Sequence, residues 1–498
     1  MEILDDRVAG LDVHKASVTV TVRLPDPDRA GRRRETTQRY GTYYRDLLAL
    51  AGWLVGLGVD HAAMEATGVY WVPVWQALRE IGGEGLHIDV VNAQHFKAVP
   101  GRKTDVKDSQ WLAQLLECGL LRGSFIPPEP VRALRDLTRY RTKLTEERSR
   151  EKQRLLKMLE LAGIKLDNVA SDTFGVSGRQ MLRALAAGQR DPDVLADLAL
   201  GVLRHKIDDL RLALAGRFTA HHADMVGLHL TRLEDLDRML AQVDQRIGAL
   251  VAPDLPAGRS GRSGRSGRSG RGGRSGRGGR GGSCRAAAGQ PGPPGTVPPP
   301  AATGLLAPFA AQVALLTTIP GIGERTATVI ISEIGVDMTR FPTPAHLAAW
   351  AGLAPGNNES AGKRHRAARR KGNTHLVAIM VEAGSAAART KTRVGARFHR
   401  LHRRFGGQRR RPAGGSDPGW KKATFATAHT LIKIVHRVLD TGIAYQDLGA
   451  DFYDRPYDPN LTTRRLITRL EGITGQKVVL TPSARHGIDQ HTTDAAVT

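Results

Sequence analysis

A long low-complexity tract limits what this chain of 498 residues can fold into. Residues 254–304 consist mainly of Gly, Arg, Ser, Ala and Pro, which supply too few bulky apolar side chains to bury a core. We expect this tract to be disordered and the rest of the chain to fold on either side of it. The tract is either a spacer or an arm whose nine arginines bind nucleic acid backbones.

The charge balance indicates a polyanionic partner. The sequence has 73 Lys and Arg against 49 Asp and Glu, which gives a net charge of +24. The excess is not confined to the tract, because the nine arginines of the tract account for only nine of these 24 charges. A chain of this size and charge favours nucleic acid as its partner.

The number of cysteines and the charge of the first residues indicate where in the cell the protein is located. Cys118 and Cys284 are too few for a disulfide framework or a multi-cysteine zinc site. The acidic opening, residues 1–6, has the wrong charge for a secretory signal. Pro308 and Pro320 interrupt the longest uncharged stretch. We therefore expect an intracellular, cytoplasmic protein without a membrane span.

The first part of the chain has the pattern of a mixed sheet with helical layers. Three segments with strand-type patterns form a predicted meander, and strands and helices then alternate. The predicted strands are residues 8–14, 16–22, 36–40, 61–65 and 87–92. The predicted helices are residues 45–57, 72–81 and 105–117. This order is typical of an α/β domain.

Leucine spacing predicts two long helices after this domain. Residues 132–161 carry leucines at helical intervals. In a second segment the apolar positions alternate steps of three and four, which is the seam of a coiled coil. These positions are Leu233, Leu236, Leu240, Val243, Ile247 and Leu250. We expect the two helices to pair, and ordinary amphipathic helices docked on a core are the alternative.

Four acids have positions that suit a divalent cation. Asp12 and Glu65 lie near the ends of the first and fourth predicted strands and become neighbours if those strands pair. Asp105 and Asp108 share one face of a predicted helix. Carboxylate oxygens suit Mg²⁺, and two such ions can clamp a phosphodiester. The alternatives are solvated turn acids and acids that stabilise a helix N-terminus through its dipole.

A glycine turn joins two apolar helices after the tract. The turn contains Gly321, Gly323 and Arg325, and it lies between a helix that ends near Leu316 and a second helix over residues 327–334. A helix-hairpin-helix element has this form and presents backbone N–H groups to a DNA phosphate. An ordinary turn between two helices is the alternative.

A serine flanked by cations is a further candidate for chemistry on phosphate. Ser360 lies in a Ser-Ala-Gly-Lys segment that we expect to be a flexible loop. The hydroxyl group of this serine can act as a nucleophile toward a phosphate whose charge is stabilised by the neighbouring cations. The alternative is that Ser360 is only a polar residue of a turn. We expect six cations near this serine to contact nucleic acid phosphates, and the alternative is a charged face exposed to solvent. They are Lys363, Arg364, Arg366, Arg369, Arg370 and Lys371.

Together these patterns predict an α/β domain followed by all-α parts. In chain order, we assign an α/β domain to residues 7–125, a helical coiled-coil region to 130–252, the disordered insertion to 254–304, a helical C-terminal domain to 313–448 and a flexible tail to 449–498.

Five ordered motifs resemble those of the DEDD transposases of the insertion-sequence-110 type. They are Gly10-Leu11-Asp12-Val13-His14-Lys15, Met64-Glu65-Ala66-Thr67-Gly68, Lys103-Thr104-Asp105-Val106-Lys107-Asp108, Ile319-Pro320-Gly321-Ile322-Gly323, and Gly352-Leu353-Ala354-Pro355 with Ser360-Ala361-Gly362-Lys363. The resemblance covers roughly residues 7–120 and 313–400. The chain departs from the common pattern around Val106, at Ala361, where glycine is commoner, and in its insertion.

The resemblance implies a ribonuclease-H-like (RuvC-like) first domain with Mg²⁺ or Mn²⁺ at Asp12, Glu65, Asp105 and Asp108. It also implies that Ser360 is a nucleophile and that the protein works as a homo-oligomer, a dimer or tetramer. The implied reaction is recombination of double-stranded DNA between the element ends and a target, guided by an RNA. We therefore predict a transposase or site-specific recombinase that is associated with the nucleoid. Two alternatives stay open: a metal-dependent junction-resolving nuclease in which Ser360 is structural, and a non-catalytic nucleic-acid-binding protein.

Overall fold

The chain forms two compact units, residues 1–128 and residues 129–498. The computed structural model describes residues 3–29, 31–66, 68–92, 105–121, 123–251, 309–356, 359–360, 362–364, 371–406, 417–453 and 459–478. The insertion expected over 254–304 lies outside the described residues. None of the helices within the described ranges combines the length and the apolarity that crossing a bilayer requires.

A five-stranded mixed sheet forms the centre of the first unit. Its strands are β1 (Val8–Val13), β2 (Ser17–Pro25), β3 (Arg33–Gly41), β4 (His61–Glu65) and β5 (His87–Val91). The spatial order is β3-β2-β1-β4-β5, with β1, β2 and β3 antiparallel and with β4 and β5 parallel to β1. The expected mixed sheet, a meander followed by alternating helices and strands, is confirmed.

Helices cover both faces of this sheet. They are α1 (Tyr44–Gly56), α2 (Trp71–Gly82) and α3 (Asp105–Glu117). Leu11 of β1 packs in the core that includes α1 and α2, whereas Val8 of the same strand packs with Ala113 of α3. Because successive side chains of a strand point to opposite faces, Gly10 and Asp12 lie on the face that α3 covers.

Gly10 allows α3 to lie directly on the sheet. A Cβ atom at residue 10 would be 2.2 Å from the carbonyl oxygen of Ser109 and 2.4 Å from the amide nitrogen of Ala113. Ser109 is fully buried, and its hydroxyl group shares a hydrogen bond of 2.8 Å with the hydroxyl group of Thr21 on β2. The helix is therefore fixed to the sheet at the residue that follows Asp108.

The second unit is largely helical and begins with two long helices joined by shorter ones. The long helices are α4 (Glu129–Leu161) and α9 (Ala220–Val251). Between them lie α5 (Leu166–Val169), α6 (Val176–Ala186), α7 (Pro192–Asp197), a 3₁₀ helix (Gly201–Lys206) and α8 (Ile207–Leu214). The long helices pack together as expected, through Leu137, Leu144, Leu236, Leu240, Val243 and Ile247.

Helices after residue 308 share a core with the two long helices. They are α10 (Ala310–Thr317), α11 (Glu324–Ile334), α12 (Pro344–Trp350), α13 (Thr374–Ala387), α14 (Arg393–Arg404) and α15 (Pro418–Thr441). Val131 and Leu134 of α4 and Val251 of α9 belong to the same apolar core as α10 to α13. The parts of the chain before and after the insertion therefore form one packed body.

Part of the expected tail is helical. Helix α16 (Pro459–Thr474) lies within residues 449–498, which we predicted to be a flexible tail. Leu466, Leu470 and Ile473 recur at helical spacing in this segment, and all three are exposed. This short apolar pattern is the signal that the prediction of a weakly patterned tail missed.

Replacing Gly10 with alanine is expected to destabilise the first unit by about 2 kcal/mol, because the added methyl group overlaps the backbone of α3. The matched control is Gly52→Ala on α1, where nothing lies within 4 Å of an added Cβ atom. The control should be neutral or stabilise by up to about 1 kcal/mol through helix propensity. Urea unfolding of both variants measures the difference, and equal midpoints would contradict the proposed close approach.

Candidate functional site

Two of the predicted metal ligands lie side by side at one end of the sheet. β1 and β4 are parallel with Leu11 paired to Met64, so Asp12 and Glu65 follow at the same end of neighbouring strands. Asp12 is only 4% exposed, and its carboxylate lies 3.0 Å from Nε2 of His14. Ala63 of β4 packs on the α3 face, so alternation places Glu65 on the same face as Asp12.

The other two acids lie on the first turn of α3, which covers that face. The helix begins at Asp105, and Asp108 is partly buried one turn later. The side chain of Asp105 lies outside the described part of the structure. The described acids Asp12, Glu65 and Asp108 do not bring three ligand atoms within 4.8 Å of one another.

The chemistry of this acid cluster (Asp12, Glu65, Asp105 and Asp108) fits a hard divalent cation. All its potential ligands are carboxylate oxygens, which Mg²⁺ and Mn²⁺ prefer, and Asp12 is buried where an unneutralised charge is costly. Sheet and helix backbones fix the positions of its residues, so the cluster rests on rigid elements and not on loops.

Ser360 lies in a tight two-stranded hairpin. The strands are β6 (Glu359–Ser360) and β7 (Lys363–Arg364), and their register places Lys363 directly opposite Ser360. Gly362 in the turn has φ of +74°, a left-handed conformation that glycine adopts without strain. The segment that we expected to be a flexible loop is therefore paired backbone, because this glycine closes the turn.

The segment that carries the hairpin begins and ends at two glycines in contact. A Cβ atom at residue 372 would be 2.4 Å from the amide nitrogen of Gly352, so both ends of the segment meet there. The next residue, Asn373, caps α13 by accepting a hydrogen bond of 3.0 Å from the amide of Leu376. Its amide group also donates a hydrogen bond of 2.6 Å to the carboxylate of Glu333.

Glu333 is a fully buried carboxylate that connects this segment to the long helix α4. Arg139 donates to both of its oxygens at 2.9 Å, and Arg135 donates to the backbone carbonyls of Ser332 and Glu333 at 2.8 Å. Burial raises the pKa of Glu333, but the hydrogen bonds from Arg139 and Asn373 and the charges of both arginines outweigh it and hold the pKa below its ordinary value. The group is therefore ionised at neutral pH and fully paired.

The two glycines of the predicted helix-hairpin-helix turn have different surroundings. Gly321 has φ of +86°, and a Cβ atom there would be 2.4 Å from the carbonyl oxygen of Ala383. The absence of a side chain at this glycine therefore allows the turn to pack directly against α13. Gly323 immediately precedes α11, and nothing lies within 4 Å of an added Cβ atom. Arg325 is exposed to solvent, and partial desolvation together with the charge of Arg141 lowers its pKa.

The predicted nucleic-acid cations are described only in part. Lys363 and Lys371 are exposed. Arg364 is described as part of β7, while its side chain is outside the description. The remaining three, Arg366, Arg369 and Arg370, lie outside the described residues.

Comparison with known families gives the relationship of the chain. A family model described as a transposase, of the DEDD type found in IS110, matches residues 9–164. A second model, for the transposases of the IS116/IS110/IS902 family, matches residues 313–400.

The chain belongs to the IS110 family of transposases.

Individual proteins are similar to this IS110-family chain over limited parts of its length. It is 48% identical over 67 residues to the insertion element IS110 uncharacterized 43.6 kDa protein of Streptomyces coelicolor, strain ATCC BAA-471 / A3(2) / M145. That match covers 13% of this chain and 16% of the relative. The Thermus thermophilus RuvC structure is matched over 99% of its own length and 24% of this chain, with 12% identity and a TM-score of 0.20.

The buried group of Glu333 with Arg135, Arg139 and Asn373 (the Glu333 cluster) was not predicted from the sequence, although a signal for it is present. Glu333 is a single acid in the apolar run Val329–Ile334, where α11 faces the core. A lone charge at a core position indicates a buried ion pair. Its partners on α4 lie about 200 positions earlier, at Arg135 and Arg139, and no local pattern identifies them.

Glu333→Gln is expected to lower the stability of the second unit at neutral pH by about 3 kcal/mol, because it removes one partner of a buried ion pair. The pKa of Glu333 is lowered from 4.5 in the folded chain, so its stabilisation is present above that value and is lost as the pH falls through the folded pKa. The wild type should therefore lose stability in this acidic window, and Glu333→Gln should lose less.

Unfolding of the full chain by urea at several pH values measures both effects. Asp440→Asn, at an exposed position of α15, is the control and should keep the wild-type profile. Parallel pH profiles for wild type and Glu333→Gln would contradict the proposed ionisation of Glu333.

Proposed function

We propose that this IS110-family chain cuts and rejoins double-stranded DNA, with Ser360 as the nucleophile and the acid cluster as a Mg²⁺ site. The observation that carries the serine assignment is the hairpin register, because it pairs the Ser360 position with the cation Lys363 on a defined backbone. A phosphate under attack gains negative charge in the transition state, and a positioned cation stabilises that charge.

The acid cluster supplies the ligands for a divalent cation. Asp12, Glu65, Asp105 and Asp108 would hold Mg²⁺ or Mn²⁺, and the cation, when bound, polarises the phosphodiester and neutralises developing charge. His14 contacts the Asp12 carboxylate at 3.0 Å and limits its rotation. The fixed approach of α3 at Gly10 keeps Asp108 on the face that carries Asp12.

Other hydroxyl groups near the family motifs fit the nucleophile role less well. Ser109 is fully buried and hydrogen-bonded to Thr21, so a DNA phosphate cannot reach it without unfolding of α3. Tyr70 is 41% exposed and precedes α2, which leaves it as the competitor to test.

The remaining features support binding of nucleic acid. Exposed Lys363 lies in the hairpin itself and exposed Lys371 near the end of the segment that carries it, and the net charge of +24 favours polyanions. We also propose that α4 and α9 form a coiled coil and that residues 318–327 act as a helix-hairpin-helix element whose Gly323 faces a DNA phosphate. The proposed DNA substrates are the element ends and the target, and a guide RNA selects them. We propose that the chain works as a dimer or tetramer.

Ser360→Ala is expected to keep DNA binding and to lose strand cleavage by about 10⁴-fold or more, because the attacking oxygen is removed. The matched control is Ser149→Ala on an exposed turn of α4, which should cleave like the wild type. Cleavage and binding are measured with a labelled duplex that carries an element end. If Ser360→Ala cleaves at the wild-type rate, the metal-dependent nuclease without serine chemistry replaces this proposal.

Asp12→Asn and Glu65→Gln should each abolish cleavage, and EDTA should do the same to the wild type, because the cation loses its ligands or is removed. Asp28→Asn, an exposed acid in the turn between β2 and β3, is the control and should remain active. Circular dichroism of each variant verifies that it folds. Full cleavage in chelator, or by either cluster variant, would contradict the metal site.

A further inference from the structure

We propose that His61, His87 and Asp89 form a second metal site, of the kind that binds Zn²⁺, at the start of strands β4 and β5. The ligand atoms of these three side chains lie within 4.8 Å of one another. The site is separate from the acid cluster, because His61 and Glu65 are at opposite ends of β4, about 13 Å apart at the rise of a strand.

The sheet places the three side chains on one face. β4 and β5 are parallel neighbours, and His61 is paired with His87. His87 and Asp89 are two residues apart on β5 and therefore point to the same face. The arrangement thus follows from strand register and does not depend on a loop conformation.

The distances between the ligand atoms suit a tetrahedral ion. Nε2 of His61 is 3.3 Å from Oδ2 of Asp89, and Nε2 of His87 is 3.6 Å from Oδ1 of Asp89. Two ligands of a tetrahedral Zn²⁺ ion with bonds of 2.0–2.1 Å are about 3.4 Å apart. Both imidazole nitrogens therefore already lie at about the separation from the carboxylate that a shared ion requires.

A second carboxylate orients His61 for this role. Nδ1 of His61 lies 3.1 Å from Oδ2 of Asp5, so Nδ1 donates to Asp5 and leaves Nε2 for the ion. An imidazole held between a carboxylate and a metal is the usual outer-sphere arrangement of zinc sites.

The position of Asp89 is restricted by backbone. A Cβ atom at residue 123 would be 2.0 Å from Oδ1 of Asp89, so Gly123 permits the chain to pass directly over this carboxylate. Residue 123 is also bridged to Val91 at the end of β5. Asp89 is therefore preorganised, while His87, with a side chain that is 70% exposed, leaves the site open to an ion from solution.

The ligand set selects a different ion from the acid cluster. Imidazole nitrogen favours Zn²⁺, Co²⁺, Ni²⁺ and Cu²⁺, whereas Mg²⁺ prefers oxygen ligands. Three protein ligands leave one position of a tetrahedral ion for water. An ion at this site would join the edge strand β5 to β4 and would stabilise the first unit by mass action.

The test is a titration of the untagged full chain with Co²⁺ in the presence of millimolar Mg²⁺, which occupies the acid cluster. We expect a visible absorption band of tetrahedral Co²⁺ that saturates at one ion per chain and that Zn²⁺ displaces. His87→Ala should lose the band, and Asp5→Asn should weaken binding about 10-fold or more. His205→Ala, at an exposed histidine of the 3₁₀ helix, should keep it.

Absence of the band from the wild type would overturn the proposal, and so would an unchanged band in His87→Ala. Because His87 is mostly exposed, its replacement should leave the fold intact, and Asp89→Asn provides a second ligand variant with the same expected loss of the band. Failure of this site would leave the proposed DNA cleavage untouched, because the two tests share no residue.

Discussion

The second unit depends on a single buried charge, the carboxylate of Glu333. An ionised carboxylate that is fully buried must be paired, and here Arg139 from the long helix and Asn373 from the end of the hairpin segment complete its hydrogen bonds. One group therefore links α4, α11 and the cap of α13. Removal of Arg139 would leave the buried Glu333 carboxylate without its bidentate charged partner, so the packing of α11 depends on α4.

This link explains how the chain accommodates its low-complexity insertion. The helices before and after residues 254–304 share one apolar core, and the contact of Arg139 with Glu333 joins α4 to α11. The relative placement of α4 and the hairpin segment is therefore set by side-chain contacts and does not require a rigid covalent connection.

In the first unit the corresponding constraint is steric. Gly10 removes the side chain that would separate α3 from the sheet, and the buried Ser109–Thr21 hydrogen bond fixes the helix at that contact. Acids on two strand ends and on one helix turn are positioned by these backbone contacts. The carboxylates that the proposed metal site requires are therefore placed by contacts within the first unit alone.

The sequence was most informative where local pattern and topology agree. Alternation and helical periodicity predicted the five strands and three helices of the first unit, and the parallel pairing of β1 with β4 makes Asp12 and Glu65 neighbours. The Glu333 cluster and the His61, His87 and Asp89 group were missed, because their members come from separate elements and only the folded chain brings them together. The hairpin at Ser360 was missed because it depends on the left-handed conformation of one residue, Gly362, which closes a tight turn where a flexible loop was expected.

The claim that Ser360 bonds to DNA is tested most directly by mass spectrometry of a trapped reaction. A nicked element-end duplex prevents reversal of the cut, and trypsin then releases the peptide Phe341–Lys363, which contains Ser360. We expect a nucleotide attached through phosphate to Ser360 in the wild type, and none in EDTA or in Asp12→Asn. Cleaved DNA without a modified peptide, or a nucleotide attached to Tyr70, would contradict it.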